Sequence, residues 1–142
     1  MKRTLRTLGV GVVLVLGAAV ASRAADTAAE DAAQKAAETW LALVDAGKYA
    51  ESWTEASALL KGQVTKEKWE QMAAGVRNPL GKLVSRKLKS RQYTTSVPGA
   101  PDGKYVIIQY DTVYQNKKTA VETITPMVDA ARGWRVAGYF LQ

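Results

Sequence analysis

"KYVIIQYDTVYQNKKTAVETITPMV", residues 104–128, decides the fold. Residues 104–114 are rich in β-branched and aromatic side chains that alternate with polar ones, the pattern of a half-buried strand. "QNKK" (115–118) is a tight polar turn, and "TAVETITPMV" (119–128) is a second strand. Upstream, "KLVSRKLKSRQYTTSV" (82–97) reads as a long, basic strand. Downstream, "DAAR" (129–132) connects to a last strand, "GWRVAGYFLQ" (133–142). The hairpin thus grows into a four-stranded antiparallel meander. Pro98, Gly99, Pro101, Asp102 and Gly103 supply turn geometry between its first two strands. A phosphate cradle needs a Gly-rich loop that opens a helix; this loop opens a strand.

Two turns fix a register. Pairing Tyr114 with Thr119 sets Tyr110 against Thr123 and Thr112 against Val121. Pairing Val128 with Gly133 sets Thr123 against Gly138 and Val121 against Phe140. One face then collects Val106, Ile108, Tyr110, Thr112 and Tyr114 from the second strand. The third adds Val121, Thr123, Thr125 and Met127; the fourth adds Trp134, Val136 and Phe140. A one-residue slip would turn a whole strand over, so this face is the one that helices are expected to cover.

Three helices precede the sheet. From about 27 to 46, Ala33, Ala36, Ala37, Trp40, Leu41 and Val44 share one helical face, and Gly47 is a stop free to take positive φ. Tyr49, Trp53, Ala56 and Leu60 space a second helix, ended by Gly62. Thr65 is an N-cap for a third, carrying Trp69, Met72, Ala73 and Val76. "NP" at 78–79 closes it, because a residue before proline is driven out of the helical region. Trp40, Trp53 and Trp69 sit at core spacing. Helices about 27–78 followed by strands about 82–142 make an α+β domain, with N-terminal helices on one face of a curved four-stranded antiparallel meander sheet.

The chain of 142 residues opens with "MKRTLR", then a 14-residue apolar run, 8–21. That run falls short of the ~20 residues needed to span a bilayer. With Ser22 and Ala24 placed for a signal peptidase, residues 1–24 read as a signal peptide cut after Ala24; an uncleaved anchor is the alternative. Residues 25–142 form the single domain, and its address is periplasmic or secreted. The formal charge of +7 falls to near +3 without that segment, sixteen basic against thirteen acidic residues. Much of the basicity is therefore export signal, and nucleic acid is not an expected partner. The chain holds no Cys and no His. Disulfides, a lipid-modified cysteine, thiol and Ser-His-Asp nucleophiles, and His- or Cys-based zinc sites are excluded. No metal and no cofactor is expected.

Three constellations carry what chemistry there is. Arg86 is expected to point to the helix-covered face among Tyr110, Tyr114 and Trp134, a carboxylate anchor in an aromatic-lined concavity. It can equally snorkel to water, or pair internally with a helix carboxylate such as Asp45. Asp111, Glu122 and Tyr139 are expected side by side on the outer face, with Lys89 or a neighbour next to Asp111. Adjacent carboxylates can share a proton for acid–base work, or form a lysine-neutralised ladder. Arg77, Lys82, Arg86, Lys87, Lys89 and Arg91 form an acid-free basic segment, either a surface for an anionic partner or a protected sheet edge.

"WLALVDAGKYAESW", "VTKEKWE", "NPLGKLVSRKL", "VPGAPDGKYVIIQYDTVYQNKKTAVETITPM" and "GWRVAGYFLQ", in this order, resemble the bacterial family catalogued as domain of unknown function 4019. The resemblance runs from about residue 34 to 142. It implies a short exported protein whose element order is similar to cystatin-like and nuclear-transport-factor-2-like folds. Those folds serve enzymes and binding modules alike, and the family brings no catalytic residues. The expected function is an exported, non-catalytic envelope domain that binds a small anionic or amphipathic ligand, or a protein partner, with Arg86, Tyr110, Tyr114 and Trp134. The alternatives are a small isomerase or hydrolase using Asp111, Glu122 and Tyr110, and a homodimer formed through Ile107, Val113, Ile124 and Leu141 on the outer sheet face.

Overall fold

In the computed structural model, which describes residues 16–142, helices α1 (Leu16–Asp45), α2 (Tyr49–Glu55), α3 (Ala58–Gln63) and α4 (Lys66–Arg77) precede strands β1 (Leu83–Thr94), β2 (Tyr105–Tyr114), β3 (Lys117–Asp129) and β4 (Gly133–Leu141). The first fifteen residues of the expected signal segment lie outside the described residues. The strands form one antiparallel sheet in the order β1-β2-β3-β4, an α+β fold as the sequence predicts. Among the described residues no helix is long and apolar enough to cross a membrane.

Helix α1 crosses all four strands. Its buried stripe runs Ala33, Ala37, Trp40, Leu41 and Val44, with Ala36 half-buried at its side. Gly47 (φ 74°) ends it: the Gly47 N–H donates to Val44 O and the Lys48 N–H to Leu43 O, which satisfies two terminal carbonyls. Thr65 caps α4 by accepting the Lys68 N–H. Asn78 is not driven out of the helical region by the proline after it: it keeps helical dihedrals (φ −58°, ψ −44°), its N–H donates to Ala74 O, and the chain tightens into a 3-10 turn over Asn78–Leu80 before Gly81 ends it.

The second expected helix is in fact two. The chain leaves the helix at Ala56 because Ser57 has better partners. Its N–H donates to Val136 O of β4, its hydroxyl accepts the Leu60 N–H as the cap of α3, and Asp129 accepts the Ala58 N–H. Gly62 consequently lies inside α3 instead of ending α2. Of the three tryptophans expected in the core, Trp40 and Trp69 are buried there and Trp53 packs half-buried against it, each with its indole N–H satisfied: Trp40 by Ser52 O, Trp69 by Ser52 Oγ and Trp53 by Val64 O. Trp40 stands 5.7 Å from Trp69, ring centre to ring centre.

The expected registers need correcting. The turn between β2 and β3 is two residues long, Tyr114 pairs with Lys117, and β2 carries an irregularity between Thr112 and Tyr114. Tyr110 therefore stands opposite Glu122 and Thr112 opposite Ala120. Strand β3 is turned over relative to expectation: Ala120, Glu122, Ile124 and Pro126 face the helices, and Val121, Thr125 and Met127 face outward, only half-buried. The cause is a tertiary contact at the hairpin tip. Gln115 N–H donates to Lys82 O, Asn116 N–H to Leu80 O, and Asn116 Nδ2 to Pro79 O. This docking shortens the turn. A second irregularity, between Thr125 and Pro126, accommodates a proline in an interior strand, where it is normally confined to bulges. Beyond it Tyr139 pairs with Ile124 and turns inward, 5.4 Å from the Trp40 ring, while Phe140 is 50% exposed opposite Thr123. Of the residues expected on the outer face, Ile124 is thus buried on the inner one.

The 98–103 loop is a turn that covers part of the outer face. The Tyr105 hydroxyl donates to Pro101 O at 2.5 Å, and the Tyr105 ring is buried beneath the loop. A Cβ on Gly103 would come within 3.3 Å of that ring.

Candidate functional site

Arg86 sits on β1 opposite Thr112, two residues along β2 from the Tyr110–Glu122 pair. The overturned register of β3 brings Glu122 under it. Arg86 Nε donates to Glu122 Oε1 at 2.7 Å and Nη2 to Oε2 at 3.2 Å. The same guanidinium forks onto Asp45, at the end of α1, through Nη1 (2.8 Å) and Nη2 (2.9 Å). Thr112 Oγ1 and the Tyr139 hydroxyl donate to the two Glu122 oxygens, at 2.6 and 2.5 Å. Arg77, from the last turn of α4, donates to Asp45 at 2.7 Å and lies 5.0 Å above the Tyr114 ring. Its Nε and Nη1, and the Tyr114 hydroxyl, are buried without partners. Two arginines and two carboxylates cancel in charge, and every Arg86 nitrogen already holds a carboxylate.

Burial pushes the Glu122 carboxyl up, but the bonds and charge of Arg86, aided by Thr112 and Tyr139, outweigh it and hold it below the usual carboxylate range. Asp45 is lowered in the same way, burial opposing the hydrogen bonds of Arg86 and Arg77. Burial first, then the neighbouring Glu122 charge, raises Tyr114 to about 12 and Tyr139 further still. Tyr110 is raised by burial and by Glu38, to which its hydroxyl donates weakly at 3.4 Å.

The expected outer row of Asp111, Glu122 and Tyr139 is divided by the register. Glu122 and Tyr139 do meet, but on the helix side, where Glu122 has no exposed surface. Asp111 stays outside, opposite Val121, with Lys89 Nζ at 4.0 Å. No group of three or more potential metal ligands occurs among the described residues.

The four residues expected to share a concavity lie in two places. Arg86, Tyr110 and Tyr114 gather around the ion cluster. Trp134 pairs with Val128, whose N–H donates to Lys104 O, at the other end of the sheet. Lys104 and Thr112 are eight positions apart on the β2 chain, a separation of about 25 Å at strand rise. Trp134 instead lines a cleft of about 670 Å³ between α1, α2 and β4. Its walls include Ala36, Trp40, Leu43 and Val136, and its rim carries Lys35, Glu51, Glu55, Lys66 and Arg135. Glu55 is engaged by Arg135 (2.6 Å) and Arg132 (3.1 Å). Lys35 and Lys66 have no carboxylate within 4.0 Å among the described residues.

Sequence reasoning missed Glu122 as a buried ion, Arg77 as its neighbour's partner, and the Lys35–Lys66 rim. For Glu122 the one available signal was Pro126, which marks a bulge and so a possible change of face. For the lysines there was none, since the cleft arises where α1, α2, the first residue of α4 and β4 meet.

The family described as "Protein of unknown function (DUF4019)" matches residues 36–139. No curated protein and no solved structure matches.

Proposed function

Since the chain belongs to the DUF4019 family of proteins of unknown function, we propose that it is an exported, non-catalytic binding domain of the bacterial envelope that holds a small amphipathic anion in the Trp134 cleft. The observation that carries this reading is the cleft itself. An apolar floor of Ala36, Trp40, Leu43, Trp134 and Val136 lies beneath Lys35 and Lys66, which have no carboxylate partner among the described residues. An apolar body would displace water from the floor while an acidic head meets the rim, the division of labour usual in small-molecule sites. Arg86, Tyr110 and Tyr114 take a structural part in this reading, because a ligand carboxylate would have to displace Asp45 or Glu122 from Arg86. Export is supported by the basic start, the apolar run and the small residues Ser22 and Ala24. A binding role is favoured over catalysis because the chain has neither His nor Cys.

Calorimetric titration with sodium dodecanoate below its micelle concentration tests the reading. The wild-type protein is expected to bind it. Trp134→Ala, and separately Lys35→Gln with Lys66→Gln, should each weaken binding at least about tenfold, the loss of one good contact. No heat of binding, or affinity indifferent to all three substitutions, would sink the proposal.

A further inference from the structure

The two edges of the sheet are built differently. The β1 edge carries the exposed Lys87 and Lys89 and two irregularities, devices that keep other strands away. Glu30 Oε1 of α1 also accepts its Tyr93 N–H at 3.2 Å. On the β4 edge, among the described residues, the one backbone bond from outside the sheet is Ser57 N–H to Val136 O. Past the irregularity between Thr125 and Pro126, residues 138–142 carry no charged side chain and no proline. Val121 and Gln142 exchange N–H···O bonds, both at 3.0 Å. Such pairs alternate along an antiparallel ladder. Phe140 and Gly138 therefore turn their backbone groups to β3, and Tyr139 and Leu141 turn theirs to the open edge. Among the described residues no turn, loop or helix backbone meets them there.

An open, uncharged edge is a template for another strand, and this one is complementary to itself about Phe140. When it is laid antiparallel on a second copy, Tyr139 exchanges N–H···O bonds with the second copy's Leu141, and Leu141 with its Tyr139. Phe140 then faces its own counterpart at a non-hydrogen-bonded position, where side chains stand closest and Cα atoms are about 4.5 Å apart. Phe140 lies on the outer face, is 50% exposed, and is the one aromatic among the exposed large apolar side chains of the described residues. Directly opposed aromatic pairs stabilise a sheet. On the inner face each half-buried Tyr139 meets a half-buried Leu141. A strand of unrelated sequence would leave that symmetry unused. Pairing β4 with β1 of the next copy would build an open chain, which the lysines and irregularities of β1 oppose. Pairing β4 with β4 closes after two copies.

We propose that residues 138–142 pair antiparallel with the same segment of a second copy, joining two four-stranded sheets into one across a two-fold axis at Phe140. None of these residues lines the Trp134 cleft, and neither proposal depends on the other. The test is sedimentation velocity from about 1 to about 200 µM, the range of modest affinities. The protein is purified from expressing cells with its first residue identified by mass. A dimer whose fraction rises with concentration is expected. Phe140→Lys sets like charges opposite each other on the axis and should weaken association at least about tenfold. Val113→Lys, on the outer face of β2 two strands away, should leave association unchanged. The chain has no Cys, so a single introduced thiol reports the register. Under copper–phenanthroline oxidation Phe140→Cys should give a covalent dimer, because its Cα pair falls within disulfide reach. Gly138→Cys, with open space at its Cβ, would stand about 13 Å along the strands from its counterpart and should run as monomer on a denaturing gel. Unchanged circular dichroism spectra confirm that the variants fold. A monomer at every concentration, or Phe140→Lys that associates like wild type, would overturn the proposal. So would loss of the dimer in Val113→Lys, or equal cross-linking of the two cysteine variants, since the copies would then meet elsewhere.

Discussion

At Glu122 a carboxylate with no exposed surface survives because four donor groups from three strands surround it. Stripping water from such a group costs several kcal/mol, so its partners offset a penalty more than they add a surplus. Removing one member is consequently severe. Glu122→Gln, which keeps the shape and loses the charge, is expected to lower unfolding free energy by about 3–5 kcal/mol in urea titration. Replacing Arg86 and Glu122 together by Leu and Leu should recover part of that, because no lone charge then remains beneath α1. Ser52 presents a smaller case of the same logic. Its hydroxyl accepts the Trp69 indole N–H at 2.9 Å and donates to Tyr49 O at 2.6 Å. Ser52→Ala orphans the indole N–H and should cost about 1–3 kcal/mol by the same measurement.

Strand β3 shows why elements were legible and their registers were not. The strand spans, the Gly47 stop and the Thr65 cap follow from local chemistry and were readable. On β3 one face offers Ala120, Glu122, Ile124 and Pro126, the other Val121, Thr123, Thr125 and Met127. Neither is clearly the more apolar, so alternation does not say which face is buried. That choice is made where the hairpin tip docks at Gly81, whose backbone (φ 72°, ψ −156°) lies in a region open essentially to glycine alone. A Cβ there would stand 2.9 Å from Gln115 Oε1. Gly81→Ala should therefore destabilise by about 2–3 kcal/mol. Gly62→Ala, in α3 with open space around it, should stabilise by up to about 1 kcal/mol, the helix-propensity difference. Chemical denaturation of the two variants checks both signs.

For the molecule as a whole, the ion cluster ties stability to pH on both sides. Glu122 and Asp45 titrate below their ordinary values of 4.5 and 3.8. Their folded-state pKa is depressed, so their contribution is complete above those values and is lost as pH falls through the folded ones. Tyr110, Tyr114 and Tyr139 titrate above the ordinary 10.0. Their contribution is complete below pH 10.0 and is lost as pH rises through the folded values, because the unfolded chain ionises first. Thermal melting is expected to show a plateau from about pH 5 to about pH 10 with a fall on either side. Glu122→Gln should flatten the acid limb, and Tyr139→Phe the alkaline one. A profile unchanged in both variants would remove the cluster from this account.

Local chemistry along the chain sets the order of helices before strands, the antiparallel meander, the tryptophan core and the absence of thiol and imidazole chemistry. Those follow from periodicity, caps and composition, which act over a few residues or need no geometry at all. Long-range contacts alone settle which way β3 faces and that Arg86 is shared between Asp45 and Glu122. They also turn the arginines of 77–91 inward while the lysines stay out. Each of those outcomes depends on residues distant in the chain. With a side-chain period of two, one shortened turn is enough to reverse a strand and, with it, the placement of every charge that the strand carries.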